Sequence, residues 1–377
     1  MQNFSLTDLY YQLRDDQDVP FDDRIVLVNI GSQPRSKTAK QLLILNQYEP
    51  EVIGIDALFY GENPNSSDSV GRFSGDELLE LALAKTPKAV LVGEAEGYNE
   101  KKNSWDSLRR PHPRFAQHAR VSYANTVTDE SGADLFNTWK RIKPQFALKG
   151  GEKANCFAAS ILSHYDSAEY KEFIGRDNEV EHIFFKGNIP SMDTTRSAKY
   201  SILDVDDVMN ENFTPDVIKG KIVLMGYMGT EYTSTHWDTD KFYTPLNLKQ
   251  VGRAWPDMYG VVIHANILSM ILDDNYIDVM PEWGSIAIAF IICYINVAIF
   301  VMILRRKRIA PWYGAISKVI QSLEVIVLAY LTVQLFTSFN FKPQLTLAMI
   351  AVLLSGDLAE IFMDFVGNVL KLHKVEH

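Results

Sequence analysis

The chain has 377 residues, 47% of them apolar, with 47 acidic against 37 basic side chains and a formal net charge of −10. That length provides for two or three structural units and a large core, and the acidic balance argues against nucleic acid, whose phosphates require a basic surface. Two cysteines, Cys156 and Cys293, exclude a disulfide scaffold, and no CxxC or paired Cys/His spacing suggests zinc.

Taken in chain order, Met1 to Pro20 is polar and acidic and carries no apolar run of the kind a secretory signal needs. Short continuous Val/Ile/Leu runs follow: Arg24–Ile30, Val52–Asp56, Ala89–Gly93, Val121–Ala124, Glu181–Phe185 and Lys221–Met225. Runs of this length predict strands buried on both faces, hence a mostly parallel sheet. Helical patterns lie between them at Ser36–Gln47, Asp76–Lys85, Asn155–Phe173 and Gly260–Leu272. The alternation predicts an α/β domain with a mostly parallel sheet flanked by helices, over residues 1–280. Two polar stretches rich in Gly, Pro and Asn, Gly61–Gly75 and Tyr98–Arg114, are predicted as exposed loops.

An all-α three-helix transmembrane bundle is predicted for 281–370, with spans near 284–304, 315–339 and 344–366 and a short cytoplasmic tail at 371–377. Residues 286–304 hold no charge; at 1.5 Å per residue they cover about 28 Å, close to the ~30 Å hydrocarbon thickness. Trp283 stands at its start as an interfacial anchor. Arg305-Arg306-Lys307-Arg308 separates the first two spans, and Lys371 and Lys374 follow the third. The positive-inside rule therefore places that loop and the C-terminus in the cytoplasm and the N-terminal domain outside. An unpaired charge at mid-bilayer costs roughly 2.5 kcal/mol or more, so Lys318 is expected to pair with Asp357 or Glu360, either as a charge relay or partner-docking site or as an orienting pair that snorkels to the interface. Glu324 lies deeper and has no obvious partner in this chain; it is expected to be protonated or to face another subunit.

The blocks RIVLVNIG at Arg24, VIGIDALF at Val52, KGKIVLMGYMG at Lys219, the stretch Asp240–Leu246 and DMYGVVIHANIL at Asp257, followed by three spans, resemble a type-two CHASE domain. The resemblance covers roughly residues 1–366 and is most specific in its last two blocks. It implies an α/β bacterial ligand-sensing domain outside the cytoplasm. Two features depart from it: Asn29 stands where many members carry Asp, and no membrane helix precedes the domain. A missing N-terminal membrane helix, or a partner that assists translocation, is expected for that reason.

In open parallel sheets ligands lie beyond the carboxyl ends of the strands. Those ends offer Asn29, Asp56, Glu94, Asn125, Gly226 and Tyr227, with Arg35 after the first strand; Asp56, Glu94, Asn29 and Arg35 form a candidate site for a small polar ligand or a cation, or else Asp56 caps a turn and Asn29 holds a loop. Gly226 and Tyr227 can cradle an anion or simply turn the chain. His264 is a candidate ligand group or a packing histidine. Glu231, His236, Asp238 and Asp240 are compatible with a metal loop or with a solvated one. No phosphate loop, GxSxG or HExxH occurs, so no enzyme, cofactor or metal is expected. The expected function is a sensor in the bacterial inner membrane without its own output domain, signalling to a separate membrane protein or a second copy of itself. The alternative is a non-catalytic structural or assembly subunit of an envelope complex.

Overall fold

The computed structural model describes residues 6–14, 19–63, 68–99, 104–125, 138–190, 197–234, 238–247 and 255–375. The chain divides into a unit built from Tyr11–Tyr276 and a second built from Ile277–His377 with Ser5–Tyr10.

The first unit is organised by strands β1 (Asp22–Asn29), β2 (Val52–Asp56), β3 (Ala89–Asn99), β4 (Ser104–Arg109), β5 (Arg120–Tyr123), β6 (Tyr200–Leu203) and β7 (Ile222–Gly226). Six run parallel in the order β6-β1-β7-β2-β3-β5, and β4 pairs antiparallel with the far half of β3. Ile25 to Val28 and Ile222 to Met225 are all buried, as expected where both faces are covered. Helices α1 (Arg35–Gln47) and α2 (Gly75–Ala84) cover one face, placing Leu42, Leu45, Leu79 and Leu83 in a core with Val26, Ile53, Leu91 and Val223. The start of α2 is set by a capping box in which Ser74 and Glu77 satisfy each other's backbone N–H. The other face receives α3 (Phe157–Tyr165) and α5 (Gly260–Leu272), with α4 (Ser167–Gly175) beyond α3. Close approach there depends on glycine: a Cβ on Gly54 would lie 2.6 Å from Ile161 and 2.8 Å from Phe157, and one on Gly226 would lie 2.6 Å from Val261.

The α/β class, the parallel sheet and the flanking helices match the expectation from sequence; four details differ. Glu181–Phe185 is not a sheet strand: only Glu181–His182 pairs, with Arg141–Ile142. The sixth strand is Tyr200–Leu203, whose half-polar residues gave no apolar run because it sits at the sheet edge. Asn155–Phe173 is two helices, broken at Asp166, whose side chain accepts from the N–H groups of Ala168 and Glu169 and so starts α4. Part of Tyr98–Arg114 is a hairpin arm, since β4 pairs with β3 from Glu94 to Asn99.

At the amino end of β1 a buried ionic network ties the sheet to the end of α5. Arg24 and Lys186 both pair with Asp22 and with Asp273, and Ser269 donates to Asp22 at 2.7 Å. Burial alone would raise the Asp22 carboxyl, but the hydrogen bonds from Arg24 and Ser269 and the two cations hold it well below the usual carboxylate range.

The second unit consists of three long helices, α6 (Glu282–Leu304), α7 (Tyr313–Phe339) and α8 (Thr346–Val375). Glu282–Leu304, Ala310–Phe339 and Thr346–Val366 are long and apolar enough to cross a membrane, and no more than 28% of any of their apolar windows is buried. Ile286, Phe290, Tyr294, Ile326, Tyr330, Ile361 and Phe365 lie exposed, a surface that a bilayer solvates and water does not. Small and polar groups face inward instead: Ser285 donates to the Gln344 carbonyl, Gln321 to those of Val352 and Leu353, and Tyr313 to that of Gly356. Such contacts hold helices together where no hydrophobic effect separates them from lipid. Glu324 does have a partner in its own chain: Asn296 Nδ2 on α6 donates to Glu324 Oε2 on α7 at 2.5 Å. The expectation of a partnerless acid failed because the pairing joins two helices with no shared sequence pattern. The third helix also runs on to Val375, through the segment expected to be a tail.

Candidate functional site

Parallel register brings Asn29, Gly226 and Asp56 into one row at the carboxyl edge of β1, β7 and β2. Their roles diverge. Asn29 is a brace: its Nδ2 donates to Asp204 Oδ1 (2.9 Å) and the Gly229 carbonyl (3.0 Å), while its Oδ1 accepts from the N–H groups of Gly31 and Met228. Every polar valence of the amide is used on loops, and a carboxylate in its place would face another carboxylate and a carbonyl. Gly226 lets α5 approach the sheet at Val261. Gly229, at φ +78°, is required twice, since a Cβ would also lie 2.6 Å from the Tyr259 hydroxyl.

Tyr227 and Tyr259 both donate to Asp238, at 3.0 and 3.3 Å, and the Thr239 N–H donates to it at 2.7 Å. Two residues on, Asp240 accepts the Gly260 N–H with its backbone carbonyl at 3.1 Å, which fixes the loop to the first turn of α5. Burial, then the charges of Asp56 and Asp238, raise the Asp240 carboxyl, and burial raises Asp56. Desolvation likewise raises Asp257, partly buried, to about 6, although Thr244 donates to it through both N–H and hydroxyl.

One turn into α5, His264 is 2% exposed, with Nε2 3.9 Å from Asp56 Oδ2. Trp139 and Phe157 meet its ring edge to face at 5.8 and 5.0 Å. Burial holds its pKa down, to about 3, so the imidazole is neutral.

The fold thus gathers Asp56, Tyr227, Gly226 and His264 and leaves Arg35 and Glu94 elsewhere. Arg35 bonds Asp76 and the Gly61 carbonyl, both at 2.6 Å, and lies over Phe59 and Phe115. Glu94 accepts from Tyr60 on the β3–β4 side, and Asn125 bridges to the Ala95 backbone. Sequence reasoning set Asp238 and Asp240 aside with a solvated loop; of that segment Glu231 is exposed and His236 lies outside the described residues. The signal that could have found Asp240 and Tyr259 was their place in the two most specific sequence blocks. In the spans, Lys318 Nζ lies 3.8 Å from Asp357 Oδ1, with side chains 64% and 68% exposed, and Glu360 is exposed one turn further along.

A mostly parallel α/β domain followed by three helices long and apolar enough to cross a membrane makes this a membrane protein with an α/β domain. The chain belongs to the CHASE2 domain family, which it matches over residues 3–300; these are extracytoplasmic sensory domains. No curated protein and no solved structure matches it.

Proposed function

We propose that this chain is a sensor of the bacterial inner membrane that binds a small molecule outside the cytoplasm and passes the result through its spans to a separate membrane protein. The observation that carries the reading is Asp56 and Asp240: two partly buried carboxyl groups at the carboxyl edge of the sheet that accept no hydrogen bond from any described residue. Groups arranged this way destabilise the empty fold and are the mark of a site awaiting a ligand. The domain binds rather than catalyses in this reading. The basic run Arg305–Arg308 supports the topology, with that loop inside and the α/β unit outside. The paired but lipid-facing Lys318 and Asp357, with Glu360, supply the polar face for a partner helix or a second copy.

The test is a thermal-shift screen of the full chain in detergent against charged and neutral small molecules. Stabilisation that saturates with concentration and is lost in Asp56→Ala supports the sensor; no stabilisation by any compound, with a fixed partner that co-purifies, supports an assembly subunit instead. That second reading has less to rest on, because Glu324, which would have needed another subunit, is bonded to Asn296.

A further inference from the structure

Buried charge in a folded domain is ordinarily matched by opposite charge or by donors. The base of this sheet obeys that rule, with Asp22 held by Arg24, Lys186 and Ser269. The carboxyl edge does not. No described cation or donor reaches the carboxylate of Asp240, and Asp56 has only His264, at 3.9 Å. Asp238 stands close enough to act on Asp240 and adds a third negative charge, its own oxygens being engaged by Tyr227, Tyr259 and Thr239. The nearby cation, Lys241, bonds the Ser234 carbonyl, lies 4.8 Å from the centre of the Tyr259 ring and acts on the charges of Asp238 and Asp257 rather than on Asp240 or Asp56.

His264 is the independent sign of a ligand. Its side chain is 3% exposed, its Nδ1 has no hydrogen-bond partner, and its Nε2 is aimed at Asp56 across a gap too long for a direct bond. A nitrogen placed about 2.8 Å from both Nε2 and Oδ2 would see them roughly 90° apart, near the spread of an ammonium's N–H bonds. The walls are aromatic: Trp139 and Phe157 against the imidazole, and Phe242, whose ring and the Asp240 carboxylate both lie within 3.4 Å of where a Gly260 Cβ would sit. Rings of this kind favour a cation that carries carbon. A hard divalent ion would want six or more oxygens, and among the described residues no group of three His, Cys, Asp or Glu side chains is placed to hold a metal.

We propose that Asp56 and His264 form the binding site for a small organic ammonium ion, a protonated primary or secondary amine, with Asp240, and Asp238 held in place by Tyr227 and Tyr259, as the outer negative charges. The proposal rests on the sensory reading and names the ligand class for that same site.

The experiment uses the full chain in detergent at pH 7.5 and constant ionic strength, with thermal unfolding and calorimetric titration against ethanolamine, putrescine, dimethylammonium, tetramethylammonium, sodium, acetate and a panel of neutral metabolites. The amines bearing N–H bonds are expected to raise Tm by several degrees in a saturable way, whereas tetramethylammonium, sodium and acetate leave it unchanged. Asp240→Asn, close to isosteric, is expected to unfold at the same or a higher temperature than the parent without ligand and to lose the amine response. His264→Gln is expected to weaken amine binding about tenfold. Stabilisation by a neutral or anionic compound alone, lost in Asp56→Asn, overturns the amine class and leaves the sensor standing. A blank across all probes overturns both. An amine response that survives in Asp240→Asn overturns the site, and a Tm that follows pH but no amine shows that the acids serve protons only.

Discussion

Asn29 shows how much one side chain decides at the edge of this sheet. Its four hydrogen bonds hold the turn after β1, the turn after β7 and the cap at Asp204. Asn29→Asp removes two donors and sets a carboxylate against Asp204; a loss of roughly 2–4 kcal/mol is expected in denaturant unfolding, with Asn29→Ala at the lower end. The acids carry the opposite expectation. A carboxyl whose pKa is raised on folding binds its proton more tightly in the native state, so its stabilisation is greatest at acid pH and is lost as pH rises through the folded value. Asp56 and Asp240 are raised and Asp257 rises to about 6. The ligand-free protein should therefore lose stability as pH climbs from the carboxylate range toward 8, and Asp240→Asn should flatten that slope, gaining about 1–3 kcal/mol at pH 8. His264 works from the other side. Its pKa is depressed to about 3, so below pH ~6.5 the unfolded chain takes the proton first and stability falls as pH drops toward 3. His264→Gln should remove that acid-side loss, read as Tm against pH.

Among the elements, α5 concentrates the consequences. It is buried along Gly260–Ile271, carries His264 near its start, and is clamped at its end by the network of Asp22, Arg24, Lys186 and Asp273. Gly226→Ala would drive a Cβ to 2.6 Å from Val261, and since interiors are close-packed the helix must shift. A cost of about 1–3 kcal/mol is expected, together with weakened ligand binding because His264 moves with α5. Asn266 anchors the middle of the same helix, exchanging hydrogen bonds with the backbone of Gly187 at 2.9 and 3.0 Å. In the membrane unit the Asn296–Glu324 bond makes a separate prediction. Asn296→Leu leaves a carboxyl unpartnered within the spans and should lower thermal stability in detergent by about 1–2 kcal/mol, while Glu324→Gln keeps the bond and should cost less. The helix break at Asp166 and the edge strand Tyr200–Leu203 illustrate the limit of pattern reading at this scale. A polar residue inside a helical pattern reads as an exposed position until its side chain is seen capping backbone N–H groups, and an edge strand buries too little to need an apolar run.

For the whole molecule, the lipid-facing surface of Ile286, Phe290, Tyr330 and Phe365 predicts that the full chain aggregates without detergent. A reporter fused after His377 is expected to be active only on the cytoplasmic side; activity outside would reverse the proposed topology. The three spans and five of the six parallel strands were determined by the sequence alone, because they are written as apolar runs whose length and spacing need no partner to interpret: about 20 residues to cross a bilayer, four to six to lie buried between helices. The placing of Asp56 opposite His264 and within reach of the charge of Asp240, the pairing of Glu324 with Asn296, and the exclusion of Arg35 and Glu94 from the site were decided only by the tertiary structure. Each depends on which strand ends and helix faces become neighbours, and buried charge takes its meaning from neighbours distant in the chain rather than from the residues beside it.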